Sequence, residues 1–298
     1  MNILITGGNG QVGFELQRQF AIFGNILAPT RQELDLINAD AVDAYLAKHQ
    51  PGLILNAAAY TAVDKAESEP LQAKRLNAEL PAQLAEYAAK QGIHLVHYST
   101  DYVYPGNGEP PWQEDSPTAP HSVYGQTKLE GDEAVAKSGA NYLIFRTSWV
   151  YAARGNNFMK TMLRLGRERE ALNIVNDQIG APTPARLIAQ ATALAFTTHN
   201  SPLTIHIPSG IYHLAPRGET SWHGFACEIF EQARKAGETL AIKPQGAAGI
   251  PTAEYPTPAQ RPLNSRMNLS KLEAALGVTL PTWQAQLGLT LKEYLENT

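Results

Sequence analysis

The chain has 298 residues, of which 44% are hydrophobic and 17% are charged, and its formal net charge at pH 7 is −4. This length suits one large domain or two closely joined ones with a substantial core. The mild charge, without a Lys/Arg-rich run, argues against a nucleic-acid partner. Cys227 is the single cysteine, which excludes an intrachain disulfide and fits a reducing compartment.

No apolar stretch approaches the ~20 residues that a membrane span requires. The N-terminus starts directly with a strand pattern, so we expect no signal peptide. These observations predict a cytoplasmic protein with no membrane partner.

Short apolar strands alternate with helical patterns in the first half of the chain. Strands are predicted at 2–6, 25–28, 53–55, 93–98 and 142–145, and helices at 11–23, 40–49, 71–91 and 123–137. Continuous apolar strands joined by helices predict a parallel sheet that is covered on both faces. With right-handed crossovers the result is a Rossmann-like, doubly wound α/β fold. Pro81 is expected to kink the third helix.

The alternation loosens after residue 150. Helices are predicted at 157–169, 185–197, 221–236 and 270–276, a strand at 211–215 and an ordered loop at 243–262. We therefore expect a nucleotide-binding Rossmann domain at 1–150 and a smaller, mainly substrate-binding C-terminal domain at 151–298. Elements near 171–199 and 211–215 are expected to return to the first domain.

A glycine-rich turn follows the first strand, with the sequence GGNGQVG at 7–13. Glycine tolerates positive φ and lets a phosphate approach the backbone, and the helix N-terminus directs free N–H groups at that phosphate. A lone glycine motif can be an ordinary tight turn, but its position at the first strand–helix junction favours a dinucleotide site. The predicted cofactor contacts are Gly7, Gly10, Gln11, Val12 and Gly13.

The end of the second strand indicates which nicotinamide cofactor is bound. An acidic residue there holds the ribose 2′-hydroxyl of NAD, whereas an arginine accommodates the 2′-phosphate of NADP. Arg31 occupies this point and favours NADP. Glu33 nearby keeps NADH possible, and Arg31 could also be a plain surface charge.

Tyr124 and Lys128 are four residues apart on a predicted helix and therefore share one face. A lysine ammonium lowers the pKa of a neighbouring tyrosine, which can then give its proton to a carbonyl oxygen as hydride arrives. Alone, this pair is usually a surface feature. However, Thr100 ends the fourth strand, where ligands bind in such sheets. We therefore predict Thr100, Tyr124 and Lys128 as the catalytic residues, with Tyr124 and Lys128 also contacting the cofactor.

Nearly the whole chain resembles the dTDP-4-dehydrorhamnose reductases, a family of extended short-chain dehydrogenases. The motifs that carry the resemblance are the three-residue glycine step at 7–13, NAAAYTAVDKAE at 56–67, YSTDYVY at 98–104, RTSWVY at 146–151, GNNF at 155–158, DQIGAPT at 177–183 and RPLNS at 261–265. The resemblance implies reduction of the C4 carbonyl of dTDP-4-dehydro-L-rhamnose by NADPH, the final step of dTDP-L-rhamnose synthesis.

The resemblance also implies further site residues. Additional cofactor contacts are expected from Asp35, Leu36, Ala57, Ala58, Ala59, Tyr60 and Thr61. The dTDP-sugar is expected to contact Thr100, Asp101, Tyr102, Trp149, Asn157 and Arg261. Within this set Asp101 would hydrogen-bond the sugar and Trp149 would lie against it, although a tryptophan here could be only a core aromatic.

Some members of the family dimerise through a magnesium ion held by acidic residues. Glu15 matches one of these, but Arg186 and Gln190 stand where other acids are expected, and an arginine repels a cation. We therefore predict no metal site, treat Mg²⁺ as doubtful, and expect a monomer or a weak homodimer.

Two other functions stay open. One is a reductase or epimerase of a different nucleotide sugar, since epimerases share the same three catalytic residues. Dehydration is disfavoured because Tyr102 stands where the related dehydratases carry a glutamate. The other is an NADP-binding regulatory subunit of another enzyme, because a fold does not fix a function.

Overall fold

The computed structural model describes residues 1–197 and 204–296. The strands are β1 (Asn2–Thr6), β2 (Asn25–Leu27), β3 (Leu53–Asn56), β4 (His94–Thr100), β5 (Asn141–Thr147), β6 (Val150–Tyr151), β7 (Leu172–Val175), β8 (Ile179–Gly180), β9 (Thr183–Pro184), β10 (Phe196–Thr197), β11 (Thr204–Ile205), β12 (Gly210–His213), β13 (Thr220–Ser221) and β14 (Ala247–Ile250). The α-helices are α1 (Gln11–Phe20), α2 (Ala39–His49), α3 (Val63–Ala66), α4 (Pro70–Lys74), α5 (Leu80–Gln91), α6 (Val123–Lys137), α7 (Phe158–Glu168), α8 (Ala185–Leu194), α9 (Trp222–Lys235), α10 (Ser270–Leu276) and α11 (Trp283–Leu295).

Six strands of the described chain form one parallel sheet in the order β12-β5-β4-β3-β1-β2. The strand order reverses between β1 and β3, because β2 lies on one side of β1 and all later strands of the sheet lie on the other. Ligands of open α/β sheets bind at such a switch point, beside the carboxyl ends of the strands. The predicted Rossmann-like fold class is confirmed.

Apolar side chains cover both faces of this sheet. One face packs against α1 and α8 through Leu16, Phe20, Leu187 and Ile188. The other face packs against α2, α5 and α6, where Leu46, Leu84 and Val135 are buried. A separate apolar core joins α7, α9 and α11 in the C-terminal half, with Met159, Leu163, Phe225, Ile229 and Leu287 at its centre.

The C-terminal half also contributes to the first sheet. Strand β12 pairs in parallel with β5, and α8 packs on α1. The predicted strand at 211–215 corresponds to β12, and most of the predicted helix at 185–197 corresponds to α8. The division of the chain at residue 150 into a cofactor half and a substrate half stays a proposal.

The predicted kink at Pro81 takes another form in the structure. The helix predicted at 71–91 consists of α4, a π-helical turn at Arg75–Glu79, and α5, in which Pro81 lies in the first turn. Proline lacks the N–H that would bond to the carbonyl of Asn77 four residues earlier. The wider turn directly before Pro81 accommodates that missing hydrogen bond.

Other boundaries differ from the sequence-based expectations. Helix α1 ends at Phe20, and α8 ends at Leu194 before the chain enters β10. The predicted loop at 243–262 contains β14, which pairs with β7. Helix α11 was not predicted, although it carries buried Trp283, Leu287 and Leu291. Within the described residues, no helix is long and apolar enough to cross a membrane.

A close approach between α6 and the π-helical turn gives a test of this packing. A Cβ atom added at Gly131 would lie 2.1 Å from the carbonyl oxygen of Asn77. We expect Gly131→Ala to lower the free energy of unfolding by about 1–3 kcal/mol, because overpacking outweighs the ~1 kcal/mol gain in helix propensity. Urea unfolding measures this change. Gly288→Ala on α11 is the control, since only the flexible Gln232 side chain lies near it; equal stability of the two variants would refute the packing argument.

Candidate active site

The glycine turn brings β1 and the loop after β3 into contact. Gly7 has φ +67°, and a Cβ atom there would lie 2.8 Å from the carbonyl oxygen of Ala57 and the amide nitrogen of Ala58. A Cβ atom at Gly13 would lie 2.2 Å from the Gly7 carbonyl oxygen. Both positions therefore require glycine. Helix α1 begins after Gly10 without a capping side chain, so its first N–H groups are available to a phosphate.

Asn157 links the C-terminal half to this turn. Its side-chain amide donates to Gln11 Oε1 at 2.8 Å and to the Ala152 carbonyl at 2.7 Å. Its own side-chain oxygen accepts from the Lys160 N–H and caps α7. Asn157 thus contacts the predicted cofactor loop, and its predicted contact with the sugar stays a proposal.

The loop after β2 presents Arg31 to solvent. Glu33 Oε2 accepts the Thr30 N–H at 2.8 Å, and this hydrogen bond holds the pKa of Glu33 below its ordinary value. The Glu33 carboxylate, which kept NADH possible as a cofactor, is therefore hydrogen-bonded within its own turn. Asp35 accepts the Ile37 N–H at 3.2 Å, and Leu36 packs against the sheet.

The segment from Ala57 to Thr61 runs along the same edge of the sheet, directly after β3. Tyr60 is fixed at both ends, because its N–H donates to Asn77 Oδ1 at 2.8 Å and its hydroxyl donates to Glu69 Oε2 at 2.5 Å. This loop and the glycine turn therefore form one continuous surface. The glycine turn and the segment from Ala57 to Thr61 directly follow β1 and β3, and their contacts with the cofactor stay a prediction.

Thr100 and Tyr124 meet at the carboxyl end of β4. The Thr100 hydroxyl donates to Asp101 Oδ1 at 3.0 Å and accepts from the Tyr102 N–H at 3.2 Å, and it lies close enough to the Tyr124 hydroxyl to oppose a rise of the Tyr124 pKa. The ring edge of Tyr102 packs on Tyr124, with centroids 5.5 Å apart and planes at 81°. A Cβ atom at Gly125 would lie 2.4 Å from the Tyr102 carbonyl oxygen, so glycine is what lets α6 approach this segment.

The protonation of Tyr124 differs from the sequence-based expectation. Desolvation raises the pKa of Tyr124 to about 12, although the nearby Thr100 hydroxyl opposes the rise. The expected lowering by Lys128 is absent from the described protein. Burial lowers the pKa of Lys128 to about 8, so the lysine has already lost its charge at the pH where Tyr124 titrates. Tyr124 is therefore a protonated phenol at neutral pH.

Lys128 is buried, with 1% of its surface exposed, and burial lowers its pKa to about 8. Its Nζ lies 3.3 Å from His97 Nε2. His97 Nδ1 faces the Asn56 amide nitrogen at 3.0 Å, and the Thr6 hydroxyl donates to Asn56 Oδ1 at 2.6 Å. A row of buried polar groups therefore runs from the end of β1 through β3 and β4 to the catalytic helix.

The row continues on the other side of α6. Arg146 Nε donates to Asp132 Oδ2 at 3.0 Å, and its Nη1 donates to the Tyr104 hydroxyl at 2.8 Å. The Tyr104 hydroxyl in turn lies 2.6 Å from His213 Nε2 on β12. Sequence reasoning missed this row, although Asp132 lies one helical turn after Lys128, as Lys128 does after Tyr124.

Burial also changes the acidity of the predicted substrate residues. The pKa of Asp101 rises to about 6, because only 1% of the residue is exposed, while hydrogen bonds from Ser265 and Thr100 oppose the rise. Burial raises the pKa of Tyr102 above its ordinary value, and the nearby Arg261 charge opposes this change. Arg261 Nη2 pairs with Asp64 Oδ2 at 2.7 Å.

A cavity of about 940 Å³ opens beside these residues, between the sheet and the C-terminal half. Its lining includes Tyr102, Arg261, Phe158, Met162, Gln178 and Trp222. A mostly apolar cavity with a few polar groups and a cation suits a ligand of nucleotide size. Phe158 and Gln178 lie in motifs that carried the resemblance, whereas no sequence signal singled out Trp222.

Trp149 lies next to this cavity, because its ring stacks on Trp222, which lines it. Its φ of +50° is rare for a residue with a bulky side chain, and such strain clusters at functional sites. Its ring stacks on Trp222 at 3.8 Å with planes at 17°. Trp222 Nε1 donates to Gln178 Oε1 at 3.1 Å, which fixes the orientation of the stack.

Side-chain contacts connect α1 and α8, the two helices that carry the residues of the magnesium prediction. Arg186 Nη2 lies 2.6 Å from Glu293 Oε1, and its Nε lies 3.4 Å from Glu15 Oε2. This arginine thereby connects α8 with α1 and α11. In the described ranges 1–197 and 204–296, no group of three or more His, Cys, Asp or Glu residues could hold a metal ion. The absence of Mg²⁺ stays a prediction.

The fold and the site together define a nicotinamide-dependent oxidoreductase of the extended short-chain dehydrogenase type. The family described as RmlD substrate binding domain matches residues 1–296. The chain is 49% identical to the dTDP-4-dehydrorhamnose reductase of Shigella flexneri, over all of this chain and 99% of that one. It is 48% identical to the enzyme of that name from Escherichia coli K12, with the same shares covered.

Solved structures agree with these relatives. A dTDP-4-dehydrorhamnose reductase from Clostridium acetobutylicum is 34% identical and superposes over the full length of both chains with a TM-score of 0.88. The enzyme from Bacillus anthracis, solved in complex with NADP, is 32% identical and has a TM-score of 0.85 over all of this chain and 99% of that one. The chain belongs to the dTDP-4-dehydrorhamnose reductase family.

The buried His213 predicts a pH dependence of stability. Burial and the Arg146 charge lower the pKa of His213 to about 3, so the folded protein keeps it neutral while the unfolded chain binds a proton below about pH 6.5. Because the unfolded state binds more protons there, stability falls as the pH falls from 6.5. The destabilisation caused by His213→Gln should therefore shrink by roughly 1.4 kcal/mol per pH unit between pH 6.5 and 4.5.

Urea unfolding at several pH values measures this difference. His121→Gln replaces an exposed histidine and serves as the control, for which we expect little change with pH. A constant difference between His213→Gln and the unmodified protein across this range would exclude the assigned protonation.

Proposed function

We propose that this protein reduces the C4 carbonyl of dTDP-4-dehydro-L-rhamnose with NADPH and so forms dTDP-L-rhamnose, the final step of dTDP-rhamnose biosynthesis. The observation that carries the proposal is the meeting of Thr100 with protonated Tyr124 beside a nucleotide-sized cavity. It is supported by 49% identity to a dTDP-4-dehydrorhamnose reductase over the whole chain. We assign the reaction to the cytoplasm and expect a monomer or a weak homodimer.

The cofactor residues form a cradle that fits a dinucleotide. The uncapped start of α1 and the side-chain-free turn at Gly7 and Gly10 would hold the pyrophosphate. Arg31 would hold the 2′-phosphate, because Glu33 is occupied by the Thr30 N–H. Lys128 would hold the ribose hydroxyls. When bound, NADPH supplies the hydride.

The acid form of Tyr124 is the form that a reductase needs. As the carbonyl carbon gains hydride, its oxygen becomes an alkoxide, which is more basic than a phenolate. A tyrosine whose pKa is about 12 stays protonated at neutral pH and can still transfer its proton to that alkoxide. Thr100 would hold the same oxygen by donating a hydrogen bond, and Asp101 would hydrogen-bond the sugar.

The cavity supplies the remaining contacts. Arg261 at its wall would attract the negative diphosphate of the substrate. Trp149 and Trp222 form a stacked aromatic surface against which the deoxysugar would lie. Packing of the sugar against these two aromatic rings would exclude water from the site of hydride transfer.

An absorbance assay tests the proposal. NADPH is mixed with the protein and dTDP-4-dehydro-L-rhamnose, with and without EDTA. Rapid oxidation that EDTA does not change is the expected result. Oxidation that EDTA abolishes would keep the reductase but refute the prediction that no metal is used. Tight NADPH binding without oxidation would refute the proposed activity and favour a regulatory subunit or a different sugar.

Removing the proton donor should separate turnover from binding. We expect Tyr124→Phe to lower kcat by roughly 10²–10⁴-fold, the usual contribution of general acid catalysis, while the Kd of NADPH stays nearly unchanged. Stopped-flow absorbance gives kcat, and protein fluorescence gives Kd. Tyr87→Phe, on α5 away from the site, should behave like the unmodified protein. Near-normal turnover of Tyr124→Phe would end the assigned role.

Reversing the charge at position 31 should change cofactor preference. We expect Arg31→Asp to weaken NADPH binding by about 10-fold or more, as for the loss of a charge-assisted hydrogen bond, and to change NADH binding little. Titration of each nucleotide measures both constants. Lys90→Asp makes the same charge change on α5 and controls for general electrostatics. Equal loss of NADPH and NADH affinity would mean that Arg31 does not contact the 2′-phosphate.

A further inference from the structure

Asp132 continues the functional face of helix α6. Tyr124, Lys128 and Asp132 are spaced by four residues, so their side chains lie on one side of the helix. Lys128 and Asp132 are both 1% exposed. A buried ammonium and a buried carboxylate one turn apart interact strongly, because little water screens them.

Asp132 is held in place from β5 and faces β4. Its Oδ2 accepts from Arg146 Nε at 3.0 Å, and its Oδ1 lies 3.8 Å from His97 Nε2. The same His97 nitrogen lies 3.3 Å from Lys128 Nζ. One imidazole nitrogen therefore lies between the carboxylate and the ammonium.

The polar row fixes the state of His97. Its Nδ1 lies 3.0 Å from the Asn56 amide nitrogen and its Nε2 lies 3.3 Å from the Lys128 ammonium, so both ring nitrogens face donors, which disfavours a doubly protonated ring. Burial and the Lys128 charge hold the pKa of His97 well below its ordinary value, so the ring is neutral and does not cancel the Asp132 charge.

The other charged groups near α6 are either engaged or exposed. The elements that pack on α6 include β4, β5, α3, α4, α5 and the π-helical turn, together with the segment at Asp101–Val103. Arg146 pairs with Asp132, Asp64 with Arg261, and Lys65 with Glu69, while Arg75 donates to Gln83 and Asp101 accepts from Thr100. Lys74, Glu79, Glu86 and Lys90 on these elements are exposed to solvent. Tyr124, on the same helix, is a neutral phenol. The charge of Asp132 is what raises the pKa of Lys128 against desolvation.

We propose that Asp132 is a positioning residue that acts through Lys128, keeping this buried lysine charged so that it can hold the cofactor ribose. The proposal rests on the proposed function for the role of Lys128, but Asp132 itself touches neither cofactor nor sugar in it. Asp132 acts by charge across the interior, and Arg146 and His97 fix where that charge lies.

The test is the pH dependence of NADPH binding to the full chain. Fluorescence titrations from pH 6 to 9.5 give the pH at which affinity begins to fall, which we expect near the Lys128 pKa of about 8 in the unmodified protein. In Asp132→Asn this break should move to lower pH by about one unit, because the neutral amide no longer favours the ammonium. NADPH affinity should then be roughly five- to tenfold weaker at pH 8.5 and within about twofold of normal at pH 7.

Two further variants separate charge from structure. Asp132→Glu keeps the charge, and its break should lie within a few tenths of a pH unit of the break in the unmodified protein. Glu133→Gln removes a carboxylate from the exposed neighbouring position, where it pairs with Lys137, and should leave the break unchanged. A purely structural role of Asp132 would weaken binding at every pH without moving the break, and that result would overturn the proposal.

Asp132→Asn leaves Arg146 without its carboxylate and could prevent folding, so the double variant Asp132→Asn/Arg146→Gln is measured beside it. Removing both charges of a buried pair is better tolerated than removing one. An unchanged break in whichever variant folds, or no fall of affinity in the unmodified protein up to pH 9.5, would refute the proposal. Because the titration needs no sugar, its result is independent of whether dTDP-4-dehydro-L-rhamnose is reduced.

Discussion

The burial of the Lys128 ammonium is the constraint on which the rest of the site depends. An isolated charge in a protein interior is costly unless it is paired and hydrogen-bonded. Here the Tyr98 carbonyl accepts its hydrogen bond at 2.6 Å, and Asp132 supplies the opposite charge one turn along α6. Satisfying Asp132 in turn requires Arg146, and satisfying Arg146 requires Tyr104. One buried cation thus accounts for polar side chains on several neighbouring elements.

Close backbone contacts keep that arrangement in register. Helix α6 must lie near β4 for Lys128 to reach the Tyr98 carbonyl, and two glycines make this possible. Gly125 leaves room for the Tyr102 carbonyl and Gly131 leaves room for the Asn77 carbonyl. The π-helical turn that presents the Asn77 carbonyl arises from the missing N–H of Pro81. The helix position is therefore determined by features that carry no catalytic group.

The sequence predicts the sheet well because its strands are continuous apolar runs. The structure places Thr100 at the end of β4 and Tyr124 and Lys128 on α6, as expected, and their catalytic roles stay predictions. Prediction from the sequence fails where the outcome depends on tertiary contacts. The direction of the Tyr124 pKa shift depends on the burial of Tyr124 and of Lys128, which spacing does not reveal. Helix α11 was missed although Trp283, Leu287 and Leu291 are buried, because its apolar face is completed by α7 and α9. Trp222 lines the cavity and stacks on Trp149, whose φ of +50° no residue pattern indicates.

The two halves of the chain are joined by polar contacts that also border the two proposed binding sites. Asn157 at the start of α7 donates to Gln11 in the glycine turn, and Arg261 pairs with Asp64 beside the loop after β3. Each contact uses one residue from the C-terminal half and one from the cofactor side of the sheet. A ligand that moves either turn must therefore disturb a contact with the other half. Since hydride transfer requires the reacting groups to be held within about 0.5 Å of their productive positions, these shared contacts are a physical reason for building both sites on one chain without a flexible linker.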